Sequence, residues 1–176
     1  MTRLAPVDER PADATVSRIF DEIRNAFGRV PNLFRTYAAH PLLLQANWEK
    51  VKAVMMAGKL RRKVKETIAV LVSKDNSCAY CVAAHTAALR SVGMSAEEIA
   101  SMETDLDAAD FSPKEKALIE LAREANRNPL RVPDVRFEAL RQAGAEDGDI
   151  VEALGVMEVF TSFNKFLDTL QVDIDF

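Results

Sequence analysis

Both cysteines of this 176-residue chain and one of its two histidines fall within "NSCAYCVAAH", residues 76–85. Two cysteines scattered at random over such a chain stand three apart about once in 90 placements, so the spacing itself carries information. On a helix, Cys78 and Cys81 approach closely enough to form a disulfide with modest adjustment. Near a helix N-terminus the dipole and the free backbone N–H groups favour a thiolate. His85 lies one turn beyond Cys81, within reach of its proton. That makes Cys81 the better nucleophile and Cys78 the group that resolves whatever Cys81 becomes. With a peroxide, Cys81 would pass through a sulfenic acid that condenses to a disulfide.

Three other readings use the same residues. The cysteine pair could be a non-peroxidatic dithiol relay or redox sensor, exchanging disulfides with a small dithiol without turning over peroxide. Two thiolates and an imidazole form a Cys2His set for zinc with an open fourth position, which Glu66 or His40 would complete from elsewhere. Alternatively, all three residues are core. Cys78, Cys81, Val82, His85, Ala88, Leu89 and Val92 fall within an arc of roughly 120° on one helix, and free cysteine packs as a small hydrophobe. Against the core reading, a buried imidazole needs hydrogen-bond partners that an Ala/Leu/Val face does not offer.

Glu66, in "KETIAVLVSK", is the residue that could supply one. Paired only with Arg62 at i, i+4 it would be a surface carboxylate of small energetic consequence. The apolar run "IAVLV" that follows makes its helix buried on both sides, and a buried carboxylate calls for a partner such as histidine.

Helices must position these groups, and helical spacing of apolar residues recurs almost everywhere. Val16, Ile19, Phe20, Ile23 and Phe27 form one stripe, ended by Gly28. "VPNLF" reads as a turn toward a second helix, which opens after His40-Pro41, runs through Leu44, Trp48, Val51 and Met55, and stops near Gly58. His40 is a helix-start residue or, failing that, a pocket-lining group. A third helix spans about Leu60 to Ser73. "SKDNS" offers several N-caps for the cysteine helix, which ends at Gly93. Ser95 with Glu98 forms a capping box, and Ser112 caps a helix with Pro113 at its first position. Two more helices fall near 133–143 and 147–170. No segment alternates with period two, so the expected fold is all-α. Trp48, the Met55-Met56 pair and the Phe160, Phe163, Phe166 series read as core or subunit interface.

A shift of 51 positions superposes Leu60 on Phe111, Lys63 on Lys114, Ile68 on Ile119, Ala88-Leu89-Arg90 on Ala139-Leu140-Arg141, and Gly93 on Gly144. Two hairpins of one plan are expected. The shift sets Ala117, Pro129, Val132 and Arg136 opposite Glu66, Cys78, Cys81 and His85, so one copy would carry chemistry and the other scaffold. One domain over 1–176 follows, with an N-terminal helical segment (1–58), the hairpin bearing the cysteines (59–104), and a second hairpin with the last helix (111–170).

With 23 Lys and Arg against 27 Asp and Glu, the net charge is −4 and no basic patch points to nucleic acid. "MTRLAPVDERPADA" lacks the apolar core of a signal peptide, and no uncharged stretch approaches the roughly 20 residues of a membrane helix. A soluble cytoplasmic protein is expected, in a reducing compartment where two cysteines are not a stapled scaffold.

Glu66, Cys78, Cys81 and His85, arranged as E-x11-C-x2-C-x3-H, resemble the signature of the AhpD-like alkylhydroperoxidases in the carboxymuconolactone decarboxylase superfamily. The likeness runs through "LRRKVKETIAVLVSKDNSCAYCVAAHTAALRSVGMSAEEI", and "VPNLFRTYAAHPLLLQANWEKVKAVM" is similar to the peroxidase-related branch. The resemblance implies an AhpD-like helical fold assembling into homo-oligomers, trimers or hexamers. It implies cofactor-free reduction of a small hydroperoxide, recycled by an external lipoyl- or thioredoxin-like dithiol. By position, Cys81 would be peroxidatic, Cys78 resolving, and Glu66 with His85 a proton relay. Tyr80 stands where well-characterised alkylhydroperoxidases carry a histidine, as a relay group or a pocket wall; a phenol titrating near 10 is a poor base at neutral pH. The decarboxylase branch works without this cysteine pair, which argues against lactone decarboxylation.

Overall fold

Among the described residues, 2–176 of this computed structural model, nine α-helices form and no strand does; Met1 of the expected domain lies outside them. α1 (Ala14–Phe27) starts where the Asp13 side chain accepts from the Val16 N–H and ends at Gly28, whose φ of 77° reverses the chain. It buries Val16, Ile19, Phe20 and Ile23 of the expected stripe, but Phe27, its last residue, is 41% exposed and stands edge-on to Trp48. "VPNLF" is more than a turn. Pro31 opens a short helix, α2 (Asn32–Tyr37), because Leu33, Phe34 and Tyr37 all find burial against the core.

α3 (Pro41–Val51) is capped by His40, whose ring accepts from the Leu43 N–H at 3.3 Å. It continues as a π-helical turn, Lys52–Met56, before Gly58. α4 (Arg62–Asp75) is the central element: every residue from Val64 to Ser73 is buried, and it packs against α5, α7 and α9. α5 (Ala79–Ser91), α6 (Ala96–Ser101), α7 (Pro113–Arg127), α8 (Asp134–Gln142) and the long α9 (Asp147–Leu170) complete the fold. The Ser95/Glu98 and Ser112/Glu115 capping boxes are both present. A shift of 51 residues carries the span of α4 onto 113–126, inside α7.

Burial all round explains why α4 can hold ionisable groups in place. Lys65 is 2% exposed, and its Nζ donates to the Val54 carbonyl at 2.8 Å and to that of Ala57, with Glu152 Oε1 at 2.6 Å. Glu152 also accepts from the backbone N–H groups of Lys59 and Leu60. A lysine paired and hydrogen-bonded in this way avoids the several kcal/mol that a lone buried charge costs. The result is that the π-helical turn is tied to α4 and α9. Gly58, at φ 92°, fits only because it lacks a Cβ that would run into the Glu152 carboxylate.

Candidate active site

α4 and α5 meet through a tight junction that sets the cysteines. Ser77 takes a positive φ of 63°, and the Cys78 N–H reaches back to the Ser73 carbonyl at 2.8 Å. The cap of α5 is therefore Cys78 itself, with extended backbone, and not one of the polar residues of "SKDNS". Cys81 follows in the first turn. Both are free thiols, 0% and 2% exposed.

The two sulfurs act on each other. The Cys81 thiol donates to Cys78 and holds Cys78 below the ordinary thiol range, against burial and the nearby Asp168 carboxylate. The Cys81 backbone N–H adds to this, although Cys78 makes no capping hydrogen bond of ordinary geometry. Cys81 is correspondingly pushed up by its bond to Cys78 and by burial, while Asn164 and Ser73 pull it back. A dithiol so placed titrates as a pair, Cys78 giving up its proton before Cys81.

Glu66 and His85, nineteen residues apart in sequence, meet at 2.6 Å between Oε2 and Nδ1. Burial raises the Glu66 carboxyl, but the His85 hydrogen bond, its charge and Arg62 together bring it below the ordinary range. The carboxylate is thus ionised and accepts only, which places a proton on His85 Nδ1 and leaves Nε2 for exchange. Arg62 Nε approaches the other oxygen at 3.3 Å. Phe160 of α9 stands edge-on to the imidazole, ring centres 4.4 Å apart, and fixes its plane.

Cys81, His85 and Glu66 line one cavity of about 630 Å³, whose other walls include Phe34, Met55, Tyr80, Phe160 and Phe163. Cys78 is not among the lining residues and stands behind Cys81. Tyr80 is a wall: its hydroxyl donates to Asp175 Oδ1 at 2.8 Å and accepts from the Leu33 N–H at 3.3 Å. Burial and Asp175 push its acidity further from the neutral range. Met55, Met56 and two of the three phenylalanines read as core or interface also line the cavity. His40 lies away from it, at the start of α3. No group of three or more His, Cys, Asp or Glu side chains converges on a common point among the described residues.

Residues the sequence reading passed over support the thiols from behind. Asn164 Nδ2 donates to Ser73 Oγ at 3.0 Å, and Asn76 Nδ2 donates to Asn164 Oδ1 at 3.0 Å. Asn126 and Thr161 extend this ladder. The available signal was Asn164 itself, a lone amide in the apolar stripe of Phe160, Phe163 and Leu167.

Residues 41–124 match the carboxymuconolactone decarboxylase family. An alkylhydroperoxidase AhpD core from Rhodospirillum rubrum is 33% identical, with 74% of this chain and 93% of that one aligned and a TM-score of 0.50. The chain belongs to the carboxymuconolactone decarboxylase family. Within it, the chain is similar over almost its whole length to an AhpD-core, peroxidase-related protein from Ralstonia eutropha, with 26% identity, a TM-score of 0.86, and 99% and 92% of the two chains covered. An alkyl hydroperoxide reductase of Mycobacterium tuberculosis is 31% identical over 93 residues, or 53% of this chain. The matched part is about a quarter (27%) of that protein's length. The family fold is therefore AhpD-like and all-helical. No described helix is long and apolar enough to cross a membrane.

Proposed function

We propose that this protein is a thiol-dependent hydroperoxide reductase working through a Cys78/Cys81 dithiol–disulfide couple. The observation that carries the reading is the Glu66–His85 pair opening onto the same cavity as Cys81, with Cys78 directly behind. When the pair loses its first proton, the charge falls on Cys78 and Cys81 keeps the other proton. Moving that proton across the pair exposes a thiolate at Cys81, facing the cavity. The Cys81 sulfur then attacks the terminal oxygen of the hydroperoxide; the S–O bond forms, the O–O bond breaks, and the departing alkoxide takes a proton from His85 to leave as the alcohol. Glu66 compensates the positive charge of the imidazolium and keeps Nε2 directed at the cavity. Cys78 attacks the resulting sulfenic sulfur, water leaves, and the disulfide forms.

Per turnover one hydroperoxide and two thiols give one alcohol, one water and one disulfide. An external dithiol of the lipoyl or thioredoxin type supplies the two electrons that reopen it. The reading needs no metal or organic cofactor. A reducing, cytoplasmic setting suits a couple that must be returned to the dithiol form, and a homo-oligomer, trimer or hexamer, completes the proposal.

Reduced protein mixed with an organic hydroperoxide should consume one equivalent and gain a Cys78–Cys81 disulfide by mass spectrometry. Consumption by Cys81→Ser at the wild-type rate would overturn the mechanism. Ready disulfide exchange with a small dithiol, without peroxide consumption, would instead make the protein a dithiol relay. Light scattering in solution checks the subunit number.

A further inference from the structure

The segment after α9 takes part in no step of that chemistry, yet it forms one side of the cavity. Gln171, in the left-handed region at φ 51°, turns the chain off α9, and the Val172 N–H caps back onto the Leu167 carbonyl at 3.1 Å. Residues 173–176 then run along the start of α2. Asn32 Nδ2 donates to the Asp173 carbonyl at 3.1 Å. The Asp175 carboxylate collects three donors: Arg29 Nη2, the Asn32 N–H at 3.0 Å and the Tyr80 hydroxyl at 2.8 Å. The Phe176 ring stands edge-on to Tyr80, centres 5.0 Å apart, with the Arg29 guanidinium 5.5 Å from its own centre. Arg29, Tyr80 and Phe176 all line the cavity with Cys81.

Two features make this wall selective. Val172 is buried, but Phe176 is 50% exposed, and Asp173 and Ile174 are exposed as well, so little burial holds the chain beyond Val172; Asp175 is the principal fastening there. The fastening also ends on Tyr80, the residue next to Cys81, so the wall and the thiol are positioned by one carboxylate.

We infer that the 172–176 segment, latched through Asp175 and presenting Phe176, is the specificity-determining wall of the cavity, setting how bulky a hydroperoxide reaches Cys81. The inference rests on the cavity being the substrate entrance of the proposed peroxidase, and its test is readable without peroxide turnover. In reduced protein, Cys81 alkylation by iodoacetamide and by the much larger fluorescein maleimide is followed by peptide mass spectrometry. A single group of a pocket wall discriminates by about tenfold or more. Phe176→Ala should therefore raise the maleimide-to-iodoacetamide rate ratio by at least about that factor. Asp175→Asn should raise it in the same direction, and Phe176→Trp should lower it. The opposite sign for tryptophan separates a wall from general loosening.

With hydroperoxides, Phe176→Ala should raise the kcat/KM for cumene hydroperoxide relative to that for hydrogen peroxide, chiefly through KM. A ratio unchanged in all three variants, or moved the same way by alanine and tryptophan, overturns the inference. Altered alkylation ratios with no peroxide turnover in any protein would uphold the wall and reject the peroxidase.

Discussion

Replacing Glu66 by glutamine keeps the shape of the Glu66–His85 contact and removes its charge. The side-chain oxygen can still accept from His85 Nδ1, so the 2.6 Å contact turns from a charge-assisted hydrogen bond into a neutral one. Charged hydrogen bonds contribute about 1.5–3 kcal/mol and neutral ones about 0.5–1.5, a difference of about 1–2 kcal/mol. Glu66 is only 5% exposed in its side chain, so solvent screens little of this. If the carboxylate supports the imidazolium that protonates the departing alkoxide, the same 1–2 kcal/mol is lost from the transition state, or about 5- to 30-fold in rate.

The pH dependence follows from the direction of the Glu66 shift. Its folded carboxyl lies below the ordinary value of 4.5. Its contribution to stability is therefore fully present above that value and is lost as the pH falls through the folded one. The glutamine variant should be less stable than wild type at pH 7, and the gap should close in acid. Single-turnover oxidation of the dithiol by an organic hydroperoxide at pH 7, with denaturant unfolding at pH 7 and in acid, measures both quantities. A rate within about twofold of wild type alongside the expected loss of stability would refute the relay and leave Glu66 a structural partner of His85.

Three further outcomes are expected. Ser73→Ala removes a donor that lowers the Cys81 thiol; its iodoacetamide profile should move to higher pH, and an unmoved profile would disconnect Ser73 from the thiol. Asp75→Asn breaks the fork from Arg123 at 2.8 and 2.9 Å and the Arg127 bond at 2.7 Å. Because burial of Asp75 is outweighed by these arginines and its carboxyl is lowered, the variant should lose about 1–2 kcal/mol at pH 7, measured by urea unfolding, and the deficit should shrink as the pH falls below the ordinary 3.8. Gly58→Ala places a Cβ against the Glu152 carboxylate at a positive φ. It should cost at least about 1–2 kcal/mol in calorimetry and loosen the π-helical turn that carries Met55, whereas Gly28→Ala, with open space around it, should cost less.

What the sequence made legible was whatever depends on period and on local caps. The buried part of the α1 stripe, the Ser95/Glu98 capping box, the Ser112 cap and the all-α class came from spacing alone, since each rests on neighbours within a turn or two. The Glu66–His85 pair was also within reach, because an apolar run beyond a carboxylate forces a search for its partner. Contacts set by distant packing were not. "VPNLF" has too few apolar positions for a periodic signal, and its helix exists because Leu33, Phe34 and Tyr37 meet a core built elsewhere. The cap of α5 fell on Cys78, since Ser77 could adopt a positive φ and the Cys78 N–H could reach Ser73. Asp175 gave no pattern at all, its three donors lying at least 95 positions away along the chain.

The two helical pairs differ in what they can hold, and the difference suits the proposed chemistry to the first of them. Position for position, Glu66 faces Ala117 and His85 faces Arg136 under the 51-residue shift. Arg136 is half-buried and pairs with Glu120 and Glu124, both far more exposed than Glu66. His85, also half-buried, instead meets Phe160 of α9 and the buried Glu66 of α4. The difference is the setting of the first helix of each pair: α4 is enclosed by α5, α7 and α9, whereas α7 keeps a polar side to solvent. An enclosed helix can hold a carboxylate ionised without water only if a donor answers it, and a histidine that answers it is thereby oriented. The burial that makes Glu66 costly is thus what makes it useful. On α7 a carboxylate at position 117 would be half in water, and it would orient nothing.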